Sequence, residues 1–217
     1  MAHVTTTPIV ALDVPEVASA LAIVRALGES CDYYKIGSEL FTAAGPMAVL
    51  ALREAGKRVF LDLKLHDIPD TVRSAATVAR RAGASLLTVH AIGGEAMIAA
   101  AVAGAGPGCG VLAVTVLTSF DGQGLASVLG RPVGSVSDEV SRLAVIARRA
   151  GAHGVVCSGH EAARIRSEHG DALAVLVPGV RLPGGATHDQ SRVVTPGEAA
   201  AVGATYLVIG RTVTAAP

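Results

Sequence analysis

Residues 59–90 read VFLDLKLHDIPDTVRSAATVARRAGASLLTVH. A short β-branched and apolar run at 59–64 gives way to DTVRSAATVARRAG, where apolar side chains recur with helical period, and a second run follows at 86–90. Gly83 stands between the helical stretch and the second run, where a left-handed C-cap favours glycine. This is one βα unit and the opening of the next. The alternation extends both ways, with further runs at 9–14, 33–37, 111–117, 154–157, 173–177 and 206–209. VPEVASALAIVRAL, AAGPMAVLALREAG, GGEAMIAAAVAGA and SVSDEVSRLAVIARRAG are predicted helices between them, with Gly56 and Gly151 as further C-caps. Eight strand-type runs in 217 residues predict an α/β fold, a (β/α)8 TIM barrel, since an open doubly wound sheet usually has fewer strands. No linker or low-complexity tract divides the chain, so residues 1–217 read as a single domain. After the eighth run only GRTVTAAP remains, too short for the helix that normally packs there. The terminal helix is expected to be short or absent, either because the chain is cut short or because a partner chain covers that side.

Composition narrows the function. With Lys+Arg 18 against Asp+Glu 18, no global field exists to attract nucleic acid or an anionic membrane. Aromatic content of 3% leaves few stacking platforms for single-stranded nucleic acid. Cys31, Cys109 and Cys157 are odd in number and in no CxxC spacing, which suits buried apolar fillers in a reducing cytoplasm. The N-terminus lacks a basic segment followed by a long apolar core, and no stretch reaches a membrane-spanning length without charge. A cytoplasmic protein acting on a small polar ligand is expected.

In such a barrel the C-terminal ends of the strands build the active site. Here they carry Asp13, Lys35 in YYKIGSE, Asp62 and Lys64 in FLDLKLHD, TVHA, VTVLTS, VPGVR and VIGR. Period-two alternation puts Asp62 and Lys64 on one face, while Leu61, Leu63 and Leu65 face the helices. Burying a lone charge costs several kcal/mol or shifts its protonation, so Asp62, Lys64 and Lys35 need one another as an alternating array. A plain buried ion pair would also explain them, but barrel cores are usually closed by branched apolar residues rather than by several charges. At the other end, Gly210 and Arg211 of VIGR suit a phosphate, the glycine by close backbone approach and the arginine by bidentate binding. PGVRLPGGATHDQSR, with two arginines and a glutamine, suits a lid that orders on an anion.

DLKLHDIPDT, preceded by YYKIGSELF and followed by VTVLTS, PGVR and VIGR, resembles the orotidine 5'-phosphate decarboxylase family from Asp13 to Arg211. The resemblance implies decarboxylation of orotidine 5'-monophosphate (OMP) to UMP and carbon dioxide in pyrimidine biosynthesis, with no cofactor and no metal. Carried over by position, Lys64 would protonate C6, Asp62 would lie beside the substrate carboxylate, and Lys35 would hold Asp62 and contact the ribose. Asp13 would bind a ribose hydroxyl, and Thr118 and Ser119 would face the pyrimidine. Gln190, Gly210 and Arg211 would hold the phosphate, while Pro178 and Arg181 of PGVR would also meet the substrate, Arg181 in a mobile lid. Asp67, Ile68 and Thr71 would enter the partner subunit's site, so the catalytic unit would be a homodimer. Asp70, where the family commonly has asparagine, would cap the next helix.

Other functions read less well. His66 and His90 with Asp62 and Asp67 suggest a metal, but Lys35 and Lys64 would set two cations beside it. A metal-dependent phosphosugar decarboxylase or aldolase on the same DxKxxD strand places an acidic ligand at the end of strand two, where this chain has Lys35. A non-catalytic barrel that only binds a nucleotide phosphate would not need Lys35, Asp62, Lys64 and Asp67 together. GAGPGCG at 104–110 fails the GxGxxG spacing and precedes a strand, so it reads as a connection. SFDGQGLASVLGRPVG after strand five is long for a βα loop, and is either a second flap or a surface excursion.

Overall fold

A computed structural model describes residues 6–181 and 194–214. The strands are β1 (Thr7–Ala11), β2 (Tyr33–Ile36), β3 (Arg58–Leu65), β4 (Leu86–His90), β5 (Gly110–Val114), β6 (Gly154–Val156), β7 (Ala174–Val177) and β8 (Tyr206–Ile209). They form a closed parallel barrel in sequence order, completed where β1 pairs β8 through Val10 and Ile209. The helices are α1 (Val17–Leu27), α2 (Ser38–Ala44), α3 (Pro46–Glu54), α4 (Pro69–Ala82), α5 (Gly94–Ala105), α6 (Gly122–Leu129), α7 (Val136–Arg149), α8 (Gly159–His169), α9 (Pro196–Ala201) and α10 (Arg211–Thr214). This is the expected TIM barrel.

Side-chain alternation on the strands divides the core into two layers. Ile9, Tyr33, Phe60, Leu86, Leu112 and Leu176 fill the barrel interior. Val10, Tyr34, Leu61, Leu87, Val111 and Val175 face outward and meet helix residues such as Val49, Val72, Ile98 and Leu143. Leu63 and Leu65 pack on this outer layer, as their spacing predicts. The α4 helix shows how the sequence sets its own limits. Pro69 stands at its first turn, where no N–H is needed, and Gly83 ends it with φ 99, in the region that costs other residues a Cβ clash. Cys31, Cys109 and Cys157 are buried.

Three expectations need correction. AAGPMAVLALREAG is two helices, because Gly45 takes φ 57 and Pro46 starts a new first turn. Asp70 is not a cap. It sits one residue inside α4 after Pro69, with Ile68 at the capping position, and pairs Arg73 at 3.1 Å. Strands one and five stop at Ala11 and Val114, earlier than their apolar runs, so Asp13 and residues 115–118 belong to loops. The segment after strand five contains α6, capped by Asp121, whose carboxylate accepts the Gly124 N–H at 2.8 Å. The turn after β8 leads into the four-residue α10.

Candidate active site

The C-terminal mouth of the barrel opens on a cavity of about 640 Å³. Its floor is the top of the inner core, Ala11, Phe60, Val114, Val156, Leu176 and Val208. Charged and polar groups ring it: Asp13, Lys35, Asp62, Lys64, Thr118, Ser119, Pro178, Gly179, Arg181, Gly210 and Arg211. Ten of the residues singled out in the sequence are therefore brought together around one space. Asp67, Ile68 and Thr71 are not among its walls. They are exposed between the end of β3 and the first turn of α4, and Asp67 Oδ1 accepts the Ile68 N–H at 2.6 Å. Gln190 and most of the expected lid fall within 182–193, outside the described residues.

The charges alternate in one chain of contacts. Asp13 Oδ1 takes Lys35 Nζ at 2.8 Å, Lys35 Nζ stands 3.6 Å from Asp62 Oδ2, and Lys64 Nζ donates to Asp62 Oδ1 at 2.9 Å. The two ammoniums are not equivalent, for the Lys35 side chain is 10% exposed and that of Lys64 38%. Lys35 is locked between carboxylates, while Lys64 fronts the open space. Gly37 makes room for this packing, since a Cβ there would stand 2.8 Å from Lys35 Nζ and 2.9 Å from Asp13 Oδ1.

Burial alone would push the Asp62 carboxyl up, and it is the strongest single influence. The Lys35 and Lys64 ammoniums and hydrogen bonds from Lys64 and Thr88 together outweigh it, leaving the group below the usual carboxylate range. A carboxyl depressed by folding stabilises the fold fully above its unfolded value, near pH 4, and loses that contribution as pH falls through the folded value. Wild type should therefore lose Tm more steeply than Asp62→Asn between about pH 4 and pH 2, so that their difference narrows on acidification. Parallel melting curves would contradict the charge assignment.

β3 is irregular where the chemistry sits. Leu61 pairs Leu87 on β4, but the next pair is Leu65 with Val89, so three β3 residues face Thr88 alone. Within this bulge Lys64 adopts φ 51, the one non-glycine residue at positive φ among the described residues. Such a conformation costs about 1–2 kcal/mol and persists only where the surroundings enforce it. Thr88, fully buried on the inward face of β4, accepts the Lys64 N–H at 2.9 Å and donates to Asp62 Oδ1 at 2.9 Å. Sequence reasoning passed over Thr88. Its signal was there in LLTVH, where alternation turns Leu86, Thr88 and His90 to the same side.

His66 and His90 stand with ring centroids 5.7 Å apart. Burial, then the neighbouring His66 and Lys64, hold His90 below the ordinary imidazole value, which favours its neutral form. Among the described residues no three His, Cys, Asp or Glu side chains are grouped to hold a metal ion, and no helix is long and apolar enough to cross a membrane.

A parallel barrel with a charged, ligand-sized cavity at the C-terminal ends of its strands belongs to the class of TIM-barrel enzymes. Comparison narrows the class. The chain belongs to the orotidine 5'-phosphate decarboxylase / HUMPS family, whose model matches residues 6–217. It is 52% identical over 207 residues to orotidine 5'-phosphate decarboxylase of Anaeromyxobacter sp. (strain K), covering 95% of this chain and 90% of that protein. The corresponding protein of Moorella thermoacetica is 47% identical over 217 residues, covering 96% and 86%. The crystal structure of orotidine 5'-phosphate decarboxylase from Lactobacillus acidophilus superposes with a TM-score of 0.86 at 34% identity, over 98% of this chain and 93% of that one.

Proposed function

We propose that this cavity decarboxylates orotidine 5'-monophosphate to UMP and carbon dioxide, in the biosynthesis of pyrimidine nucleotides, with Lys64 as proton donor to C6. The observation that carries this reading is the Asp62 carboxylate held between two ammoniums on the cavity wall, of which Lys64 is the more exposed. Decarboxylation leaves an electron pair on C6 in an orbital the ring delocalises poorly. A fixed ammonium stabilises that pair as it develops and then delivers its proton, and the resulting amine is reprotonated from water. Asp62 disfavours the ground-state carboxylate more than the transition state, in which the departing group has shed charge. Because the array is assembled before substrate arrives, little reorganisation is needed during the reaction.

The rest of the cavity suits a nucleotide. Gly210, Arg211 and Arg181 also line it and would take the phosphate together with Gln190; Asp13 and Lys35 would take the ribose, and Thr118, Ser119 and Pro178 would flank the base. The exposed Asp67, Ile68 and Thr71 would complete the site of a second subunit, giving a cytoplasmic homodimer. Identity of 52% to a protein named orotidine 5'-phosphate decarboxylase supports the same substrate.

The position of Lys35 opposes a magnesium-dependent phosphosugar reaction, because its ammonium lies inside the site where a divalent cation would have to bind. Loss of OMP absorbance should therefore proceed at the same rate in excess EDTA. Activity abolished by EDTA and restored by magnesium would favour the metal-dependent reading. Arg211→Ala should lower kcat/KM by about 10²-fold or more, as expected for loss of a charged phosphate contact whose binding energy helps hold the closed state. Free phosphite should activate turnover of a phosphate-free nucleoside substrate less in this variant than in wild type. Equal activation would place the phosphate grip elsewhere.

A further inference from the structure

We infer that Thr88 is a positioning residue for the reaction, holding both the strained Lys64 backbone and the Asp62 carboxylate; this rests on the decarboxylase reading above. In a regular parallel ladder the β3 amides that point toward β4 would each find a carbonyl partner there, the alternate ones turning to β2. The bulge removes that option at Lys64, where three residues of β3 face one of β4. The Lys64 N–H instead donates to the Thr88 hydroxyl at 2.9 Å.

Donor and acceptor chemistry fixes the direction of the remaining bond. An amide N–H only donates, and an ionised carboxylate only accepts. The Thr88 proton must therefore point to Asp62, whose Oδ1 lies 2.9 Å away and also takes the Lys64 ammonium at 2.9 Å. Lys64 N–H, Thr88 hydroxyl, Asp62 carboxylate and Lys64 ammonium form a closed ring through one lysine. The ring couples the backbone turn that aims the side chain to the carboxylate that receives its charged end. Thr88 is fully buried, so bulk water does not supply a substitute partner at its position.

Threonine and valine are close in shape but differ in the hydroxyl. Thr88→Val should keep the packing, deprive Lys64 N–H of its acceptor and remove one hydrogen bond from Asp62. The expected result is a fall in kcat of about 10²-fold, in the range found when a supporting hydrogen bond of a reactive group is lost, with KM within about threefold. Because the Thr88 bond helps depress the Asp62 carboxyl, the acidic limb of the kcat profile should also move to higher pH. Thr88→Ser restores the hydroxyl without the methyl and should recover kcat to within about fivefold of wild type. A merely structural threonine predicts the opposite order, with serine no better than alanine and the pH profile unmoved.

The experiment is steady-state decarboxylation of OMP by wild type, Thr88→Ser, Thr88→Val and Thr88→Ala across pH 4–9, with UMP affinity measured in parallel. Should Thr88→Val not fold, Thr88→Ala carries the same comparison. Wild-type kcat and an unmoved acidic limb in the folded hydroxyl-free variant would overturn the proposal, as would a serine variant as slow as that variant. A wild-type chain that fails to decarboxylate OMP would instead refute the decarboxylase reading, so the two failures are distinguishable.

Discussion

Lys64→Ala is expected to lower kcat for OMP decarboxylation by about 10⁴-fold or more, since it removes both the proton donor and the charge that stabilises the developing electron pair. The substitution also leaves Asp62, whose side chain is 13% exposed, with Lys35 as its remaining cation at 3.6 Å. Activity should vanish without loss of the fold, because Lys64 lies at the mouth and not in either core layer. Its backbone supplies a control. At φ 51 alanine keeps the strain of lysine and glycine does not, so Lys64→Gly should be about 1 kcal/mol more stable than Lys64→Ala while equally inactive. Denaturant melts of the two variants measure that difference with the ion pair absent from both. Residual activity in Lys64→Ala within tenfold of wild type would assign the proton to another group.

Mixing two inactive homodimers should restore activity. Lys64→Ala removes the donor from a site, and Asp67→Ala, on the proposed reading, removes a carboxylate from the neighbouring subunit's site. Each homodimer then has two defective sites. In a mixed dimer with two-fold symmetry of placement, one site collects both defects and the other combines intact Lys64 with the partner's intact Asp67. Random reassortment of equal amounts makes half the dimers mixed, so about a quarter of wild-type sites should return. Within one chain Asp67 is exposed, bonded to the Ile68 N–H and absent from the cavity wall, and Ile68 beside it is 67% exposed. That placement suits residues that act on a neighbour. Subunit exchange demonstrated by mass labelling with no return of activity would mean that Asp67 serves its own chain.

The barrel was legible because its signals are local. Alternating runs and helical stretches, with glycine at positions 56, 83 and 151, follow from side-chain period and from φ, and all three glycines take positive φ. The same period put Asp62 and Lys64 together, and they are bonded at 2.9 Å. Gly45–Pro46 was an equally local signal that was read through, although both residues interrupt a helix. The bulge in β3 was beyond reach for a different reason. It arises from register with β4, a non-local pairing that leaves no mark in FLDLKLHD. The left-handed Lys64 and its N–H bond to Thr88 depend on that register, so spacing alone turned Thr88 inward without showing what it holds. Strand ends were overrun at Ala11 and Val114 because apolar residues continue past them, Leu12 and Val14 packing on the outer core layer and Val116 and Leu117 lining the cavity.

The most direct test of the central claim is the proton NMR spectrum of the product formed from OMP in D₂O by EDTA-treated wild-type protein. The account predicts complete conversion to UMP carrying deuterium at C6 and hydrogen at C5, with one carbon dioxide released per UMP, because the electron pair left by the departing carboxylate takes its proton from an exchangeable ammonium. Unchanged OMP, or conversion that begins only when magnesium is restored, would contradict it.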